Sequence, residues 1–561
     1  MASSSSSSST PFPKWQIAVG VGAASAIGLS YWYLKSGRSP LFNSIFRGTS
    51  QETNDIQSGT KSEADETPFE RAQKFKAEGN ALFKNGKYDE AIQSYNKAIA
   101  ICPPEQANDL STFFQNRAAA YEQLKKWSAV ITDCSKAIEL NPKYEKALYR
   151  RAKAREIIKD WENCLDDVTC VCLLQNFQNQ SALLMADRVL KELGKAHAQE
   201  AMKTRKIIMP SKNFIKTYFS SFSEDPVGQM LLEVGQPLGQ GELKGFLKAK
   251  LAFATEKYEE IVPSCTEEIN SSESDSAYIA ESLSLRASFY FLCGQFAEAV
   301  EDLTTIIENE DYDYKIRVNA LIKRASIYMQ TEKLEECLND YETAVELGPN
   351  ISDVFHHRGQ VKLLMDKTDE AREDFQKAVT LNPNFPIAYV QKLYSDYRYA
   401  LQKQDVGLLM ENMDNFRKAI DKFPDCSESY VLFAQVLTER QNFEEANDMY
   451  EKALKLNPDN ASIFVHNGLL LLQWKNDIEG SVRLMRKAID LDKKCEFAYE
   501  TLGTVEVQRG NLILAIELFN KAIELARSEM EMTHLFSLRD AATSQLKVTT
   551  SLGITTPLGG M

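Results

Sequence analysis

Lys76, Asn80, Asn116, Lys146 and Arg150 are the side chains in this sequence whose types and spacing suggest chemistry. Lys76 and Asn80 lie four apart in "KFKAEGNALFK", and Lys146 and Arg150 repeat that spacing. Residues four apart on a helix point the same way. Two cations at that spacing cost a helix a few tenths of a kcal/mol, and asparagine is a poor helix former. Local stability therefore does not explain these residues. Three cations and two amide donors are a set suited to a carboxylate, and best of all to two carboxylates on adjacent atoms.

To converge, the five must be carried by elements that stack in register. Aligned on itself, the chain shows a small residue, another twelve on, an aromatic four later, alanine three later and often proline five later. Gly79, Ala91, Tyr95, Ala98 and Pro103 fit, as do Ala325, Cys337, Tyr341, Ala344 and Pro349. Gly359, Ala371, Phe375, Ala378 and Pro383 follow, then Ala434, Ala446, Tyr450, Ala453 and Pro458, then Gly503, Ala515, Phe519 and Ala522. Small residues let two antiparallel helices approach, the aromatic fills the gap to the next hairpin, and proline ends the second helix. No unit buries its own apolar face, so neighbours must stack. The pattern resembles the tetratricopeptide repeat, and ten or eleven units are expected. The fold class expected is all-α: a tetratricopeptide-repeat superhelical solenoid with one N-terminal transmembrane helix.

In such a solenoid the first helix of each hairpin lines the concave face. Lys76 and Asn80 fall on the first such helix, Asn116 on the second, and Lys146 and Arg150 on the third. This set resembles the two-carboxylate clamp of tetratricopeptide co-chaperones. The resemblance implies that these five residues grip the C-terminal aspartate of cytosolic 70-kDa and 90-kDa heat-shock chaperones, whose tails end Glu-Glu-Val-Asp.

The order of segments extends the reading. Residues 1–14 form a short tail. Residues 15–34, "WQIAVGVGAASAIGLSYWYL", are uncharged for twenty positions, about 30 Å as a helix, which matches a bilayer core. Trp15 and Tyr31, Trp32 and Tyr33 suit its two interfaces, and Lys35, Arg38 and Arg47 should keep the following chain cytosolic. This is read as an uncleaved signal anchor. Residues 35–67 are a polar tether, 68–190 a three-repeat clamp domain, 191–238 an irregular junction, and 239–561 a second array ending in a capping helix near 528–550. Between about 176 and 238 the repeat lapses, and "KTRKIIMPSKNFIKTYFSSFSEDPVGQ" reads as a charged, loop-like linker.

This organisation, with the stretch "YFSSFSEDP" (Tyr218–Pro226), resembles the family of 70-kDa import receptors of the mitochondrial outer membrane. The resemblance implies a receptor there, with its N-terminus in the intermembrane space and its body in the cytosol. It further implies that chaperone-delivered mitochondrial precursor proteins with internal targeting signals, such as metabolite carriers, dock on the back array and pass to the outer-membrane translocase pore. A membrane-anchored co-chaperone or scaffold at another organelle, such as the endoplasmic reticulum, is the alternative.

Composition excludes other classes. The net charge is −14, although the first 51 residues hold four cations and no acid, so the body would repel nucleic-acid phosphates. Ten cysteines show no CxxC spacing and fit free thiols in a reducing compartment. Neither His356–His357 nor Cys170–Cys172 has metal-ligand spacing, and both are read as packed or solvated side chains. Phosphate-loop, dinucleotide and nucleophile-elbow motifs are missing. No catalytic residue, cofactor or metal is expected, and no enzyme.

Overall fold

The computed structural model describes residues 66–232, 243–271 and 277–553. The anchor at 15–34, with the tail before it and the tether up to residue 65, lies outside the described residues. Every regular element described is helical.

Hairpin follows hairpin. The first three are α1 (Pro68–Lys84) with α2 (Tyr88–Ile101), α3 (Ala107–Gln123) with α4 (Trp127–Leu140), and α5 (Glu145–Ile157) with α6 (Trp161–Leu174), followed by the long α7 (Gln180–Lys203). Next come α8 (Lys212–Ser220) and α9 (Pro226–Leu232), then α10 (Gly245–Ala254) with α11 (Ile261–Ile269), α12 (Ile279–Leu292) with α13 (Phe296–Glu308), and α14 (Tyr314–Gln330) with α15 (Leu334–Leu347). The array continues with α16 (Ser352–Leu364) and α17 (Thr368–Leu381), α18 (Pro386–Lys403) and α19 (Val406–Lys422), and α20 (Ser427–Glu439) and α21 (Phe443–Leu456). It closes with α22 (Ala461–Lys475) and α23 (Ile478–Leu491), α24 (Glu496–Gln508) and α25 (Leu512–Leu525), and the terminal α26 (Glu529–Leu552).

The first hairpin starts where its local chemistry says it should. Thr67 accepts from the Glu70 backbone, Glu70 returns the bond to the Thr67 N–H, and Pro68 sits at the first helical position, a capping box with the proline where its missing donor costs nothing. The repeat's small residues meet its aromatics closely. A Cβ at Gly79 would lie 2.6 Å from the Tyr95 ring, and one at Gly359 3.1 Å from Phe375. The turn inside each hairpin is equally regular. Seven residues after the small residue of the first helix the backbone is left-handed, at Gly86 and Gly294 but also at Lys125, Lys159, Glu332, Asp366 and Gln441. A side chain there costs about 1–2 kcal/mol, which the packing of both helices offsets.

A second regularity holds hairpins together. One residue before the small position, arginine forks onto an aspartate sixteen residues later on the second helix: Arg117 onto Asp133, Arg151 onto Asp167, Arg286 onto Asp302, Arg324 onto Asp340 and Arg358 onto Asp374, with N–O distances of 2.6–2.9 Å. Four of these guanidiniums also reach back to the preceding hairpin, at Asn96, Ser135, Thr266 and Thr304. Each therefore joins three helices.

The described residues form two compact bodies. One contains residues 66–201 together with 506–520 and the helix from Thr533 onward. In it, α26 packs beside α7 and α6: Ser537 donates to the Leu190 carbonyl at 3.0 Å, Ser544 to Asp166 at 2.8 Å, and His197 Nδ1 lies 2.8 Å from Asp540. The other contains 202–505 and 521–532. Here the stretch expected as a charged, loop-like linker forms α8 and α9, with Ile215, Tyr218, Val227 and Leu231 buried. Its basic residues Lys212 and Lys216 pair with Glu256 at 2.7 and 2.6 Å, while the apolar residues between them face inward.

All ten cysteines are unpaired. His356, His357 and His466 are buried, with His356 against Phe375 and Phe385, His357 against Phe222, and His466 against Phe497. Among the described residues no helix is long and apolar enough to cross a membrane, and no group of three or more His, Cys, Asp or Glu side chains is placed to hold a metal.

Candidate functional site

The first helices of the three front hairpins are neighbours: α1 touches α3, and α3 touches α5. Between α1 and α3, Gln73 donates to Asp109 at 2.6 Å. One turn on, Lys76 is half-buried with its ammonium 5.7 Å from the centre of the Phe113 ring. That contact sets a cation over an aromatic face and orients the lysine without consuming its hydrogen-bond donors.

A further turn along, Asn80 and Asn116 meet. Asn80 Oδ1 accepts from Asn116 Nδ2 at 3.1 Å and from the Tyr95 hydroxyl at 2.8 Å. Burial pushes the Tyr95 phenol up to about 12, so it is a protonated donor at neutral pH. With both bonds falling on the Asn80 oxygen, its amide keeps two N–H groups and Asn116 keeps one. The ring that packs on Gly79 is thus also the one that fixes Asn80.

Arg150 on α5 reaches α3 twice, from Nε to Glu122 at 2.6 Å and from Nη1 to the Gln115 carbonyl at 3.5 Å. Its Nη2 has no partner among the described residues. Gln115 adjoins Asn116, so Lys76, Asn80, Asn116 and Arg150 are all tied to a single helix, α3. Lys146 lies one turn before Arg150 on the same face, is exposed, and forms no ion pair among the described residues. No contact joins Lys146 to the other four.

The arginines beside this set do different work. Arg117 follows Asn116 and Arg151 follows Arg150, yet both forks are filled by buried aspartates. The one-residue step from Arg150 to Arg151 separates a cation with donors to spare from one committed to the scaffold. Sequence inspection did not identify Phe113, Tyr95, Gln115 or Glu122 as neighbours of the site. The signal for Tyr95 was present, since it is the repeat's aromatic. Glu122 carries none, because a carboxylate 28 residues before an arginine looks like any other surface acid.

What the arrangement can do is bind anions. Two half-buried cations, one exposed cation and three amide N–H groups are donors without an internal acceptor, apart from the bonds of Arg150 to Glu122 and to the Gln115 carbonyl. A ligand bearing two carboxylates supplies the acceptors, and bonds with at least one charged partner are about twice as strong as neutral ones.

Residues 79–105 match the family described as TPR repeat, and residues 318–351, 352–385 and 427–460 match the family described as Tetratricopeptide repeat. The chain is similar to mitochondrial import receptor subunit TOM70 of Homo sapiens, 45% identical over 97% of this chain and 94% of that protein. The Rattus norvegicus protein of that name is 44% identical over 97% of this chain and 93% of its own length. Among solved structures, the crystal structure of the yeast Tom70 aligns with a TM-score of 0.50 at 25% identity, covering 86% of this chain and 98% of that one.

Proposed function

Because this chain belongs to the TOM70 family of mitochondrial import receptors, we propose that it is a docking receptor in the mitochondrial outer membrane, held by the segment 15–34 with its body in the cytosol. Its front hairpins, 68–190, receive the Glu-Glu-Val-Asp tails of cytosolic 70-kDa and 90-kDa heat-shock chaperones. The array in 239–561 takes over the precursors those chaperones carry, such as metabolite carriers with internal targeting signals, and passes them to the translocase pore. It acts by binding, not by catalysis, and needs no cofactor.

The observation that carries this reading is the attachment of Lys76, Asn80, Asn116 and Arg150 to one helix, with donors left over that the fold does not use. A tail ending in aspartate places an α-carboxylate and a side-chain carboxylate a few ångströms apart. Asn80 and Asn116 donate to one of them, Arg150 turns its free edge to the other, and Lys76 and Lys146 add charge. Elsewhere the acidic body repels such a tail, which confines docking to this patch and steers encounter.

Carrier-precursor import into isolated mitochondria tests the receptor role. Depletion of the chain should slow import and resupply should restore it, with Arg150→Ala restoring less. Undiminished import in depleted mitochondria would overturn the receptor and favour a scaffold that uses its repeats only for assembly.

A further inference from the structure

The stretch "YFSSFSEDP" has no part in the front site, yet in the second body it is bound much as a ligand would be. Lys323 on α14 is buried, and its ammonium donates to Asp225 Oδ2 at 3.0 Å and to Ser284 Oγ at 3.4 Å. Lys323 lies two residues before the small residue Ala325, just as Arg150 lies two before Ala152. The two cations occupy the same position of the repeat, each on the first helix of its hairpin. A buried ammonium cannot be left without an anion, and here the anion comes from the chain itself.

The neighbouring acid is held as well. The Ser352 N–H at the start of α16 donates to Glu224 Oε1 at 3.0 Å. In return, Asp353 accepts from the Ser223 hydroxyl at 2.6 Å, the Ser223 N–H at 3.0 Å and the Glu224 N–H at 2.8 Å. The Phe222 ring lies 4.5 Å from that of His357, tilted by 36°, and 5.6 Å from the Lys323 ammonium. Asp225 Oδ1 also caps α9 through the Val227 and Gly228 N–H groups at 3.0 and 3.2 Å. Two adjacent carboxylates, backbone pairing and an aromatic anchor are what an acidic peptide offers a repeat array.

We infer that Ser223–Asp225 is an internal acidic ligand: it fills in the second body the repeat position at which the first presents Arg150, and so closes α14 and α16 to acidic peptides from outside. The chain then has one docking site for such peptides, at its front. The role of Arg150 rests on the proposed function above, whereas the occupancy of Lys323 does not.

The test titrates the full chain with a synthetic peptide ending Glu-Glu-Val-Asp and follows amide hydrogen exchange in the same samples. The unchanged chain should bind one equivalent, and Arg150→Ala should weaken this at least about 30-fold. Adding Glu224→Gln and Asp225→Asn to Arg150→Ala should speed exchange over 218–232 at least tenfold and restore peptide binding, which Lys323→Met then removes. If that variant does not fold, Glu224→Gln alone, which keeps the Lys323–Asp225 pair, should still speed exchange at Ser352. A second equivalent on the unchanged chain, accelerated exchange without restored binding, or unaltered exchange in either variant would overturn the internal ligand. Full peptide binding by Arg150→Ala alone would instead overturn the front site, leaving the exchange result to decide on Lys323.

Discussion

Glu122 accepts a hydrogen bond from Arg150 Nε at 2.6 Å, each side chain about one-fifth exposed. The guanidinium proposed to meet a tail thus already faces a carboxylate of its own chain. An incoming carboxylate must share it or take its place, and Glu122 also repels that carboxylate. Glu122→Gln should therefore tighten an acidic peptide by up to about 5-fold, in line with about 0.2–1 kcal/mol for a partly exposed pair. The gain should shrink as salt rises, and calorimetric titration at two ionic strengths checks both statements.

Gly79 joins the packing to the site. A Cβ there would meet the Tyr95 ring at 2.6 Å, and the same ring carries the hydroxyl that donates to Asn80. Gly79→Ala should cost about 1–3 kcal/mol of stability through overpacking and weaken peptide binding several-fold by displacing that hydroxyl. Tyr95→Phe removes only the hydrogen bond, so it should weaken binding while leaving the melting temperature nearly unchanged.

The arginine–aspartate forks predict a sharper contrast. Arg324 and Asp340 are 15% and 3% exposed, so Arg324→Ala strands a buried carboxylate and should destabilise the second body by about 3–5 kcal/mol. Replacing both, as Arg324→Met with Asp340→Leu, should recover most of that loss. Chemical denaturation of the three chains, compared with the unchanged one, reads the difference.

Burial lowers three histidines of the second body: His356 well below 6.5, His357 to about 4 and His466 to about 3. Folded, they refuse protons that the unfolded chain accepts, so the stability they contribute is full above pH 6.5 and falls as pH drops toward 4. Asp353 works oppositely. Burial raises it to about 6, so its contribution is full below about 4 and is lost as pH rises through 6. Each such group contributes up to about 1.4 kcal/mol per pH unit, and Glu281, Asp302 and Glu496, also raised by burial, act with Asp353. On going from pH 6.5 to 4, His466→Asn should therefore lose less melting temperature than the unchanged chain.

Part of this was legible in the sequence. The hairpins were, because Gly79, Ala91, Tyr95 and their counterparts recur at fixed offsets that only close helix packing requires. The five candidate residues stood out as well, since helix propensity does not account for them, and the structure ties Lys76, Asn80, Asn116 and Arg150 to α3. The left-handed turns were not, because Lys125, Glu332 and Gln441 are ordinary residues held in a costly conformation by tertiary packing. Nor was the placing of α26 beside α7, where Ser537 meets Leu190 across 347 residues of sequence with no local pattern. The 203–229 stretch misled because its lysines outnumber its acids, whereas its fold is set by Ile215, Tyr218 and Val227 at spacings too short to register as a repeat.

The most direct test of the central claim is the affinity of a free-acid peptide ending Glu-Glu-Val-Asp for the full chain and for Arg150→Ala. Losing one partner of a buried charged hydrogen bond costs about 2–5 kcal/mol, so the substitution should weaken binding by at least about 30-fold, and amidation of the peptide's C-terminus should do the same to the unchanged chain. Equal affinities across all three measurements would contradict the account.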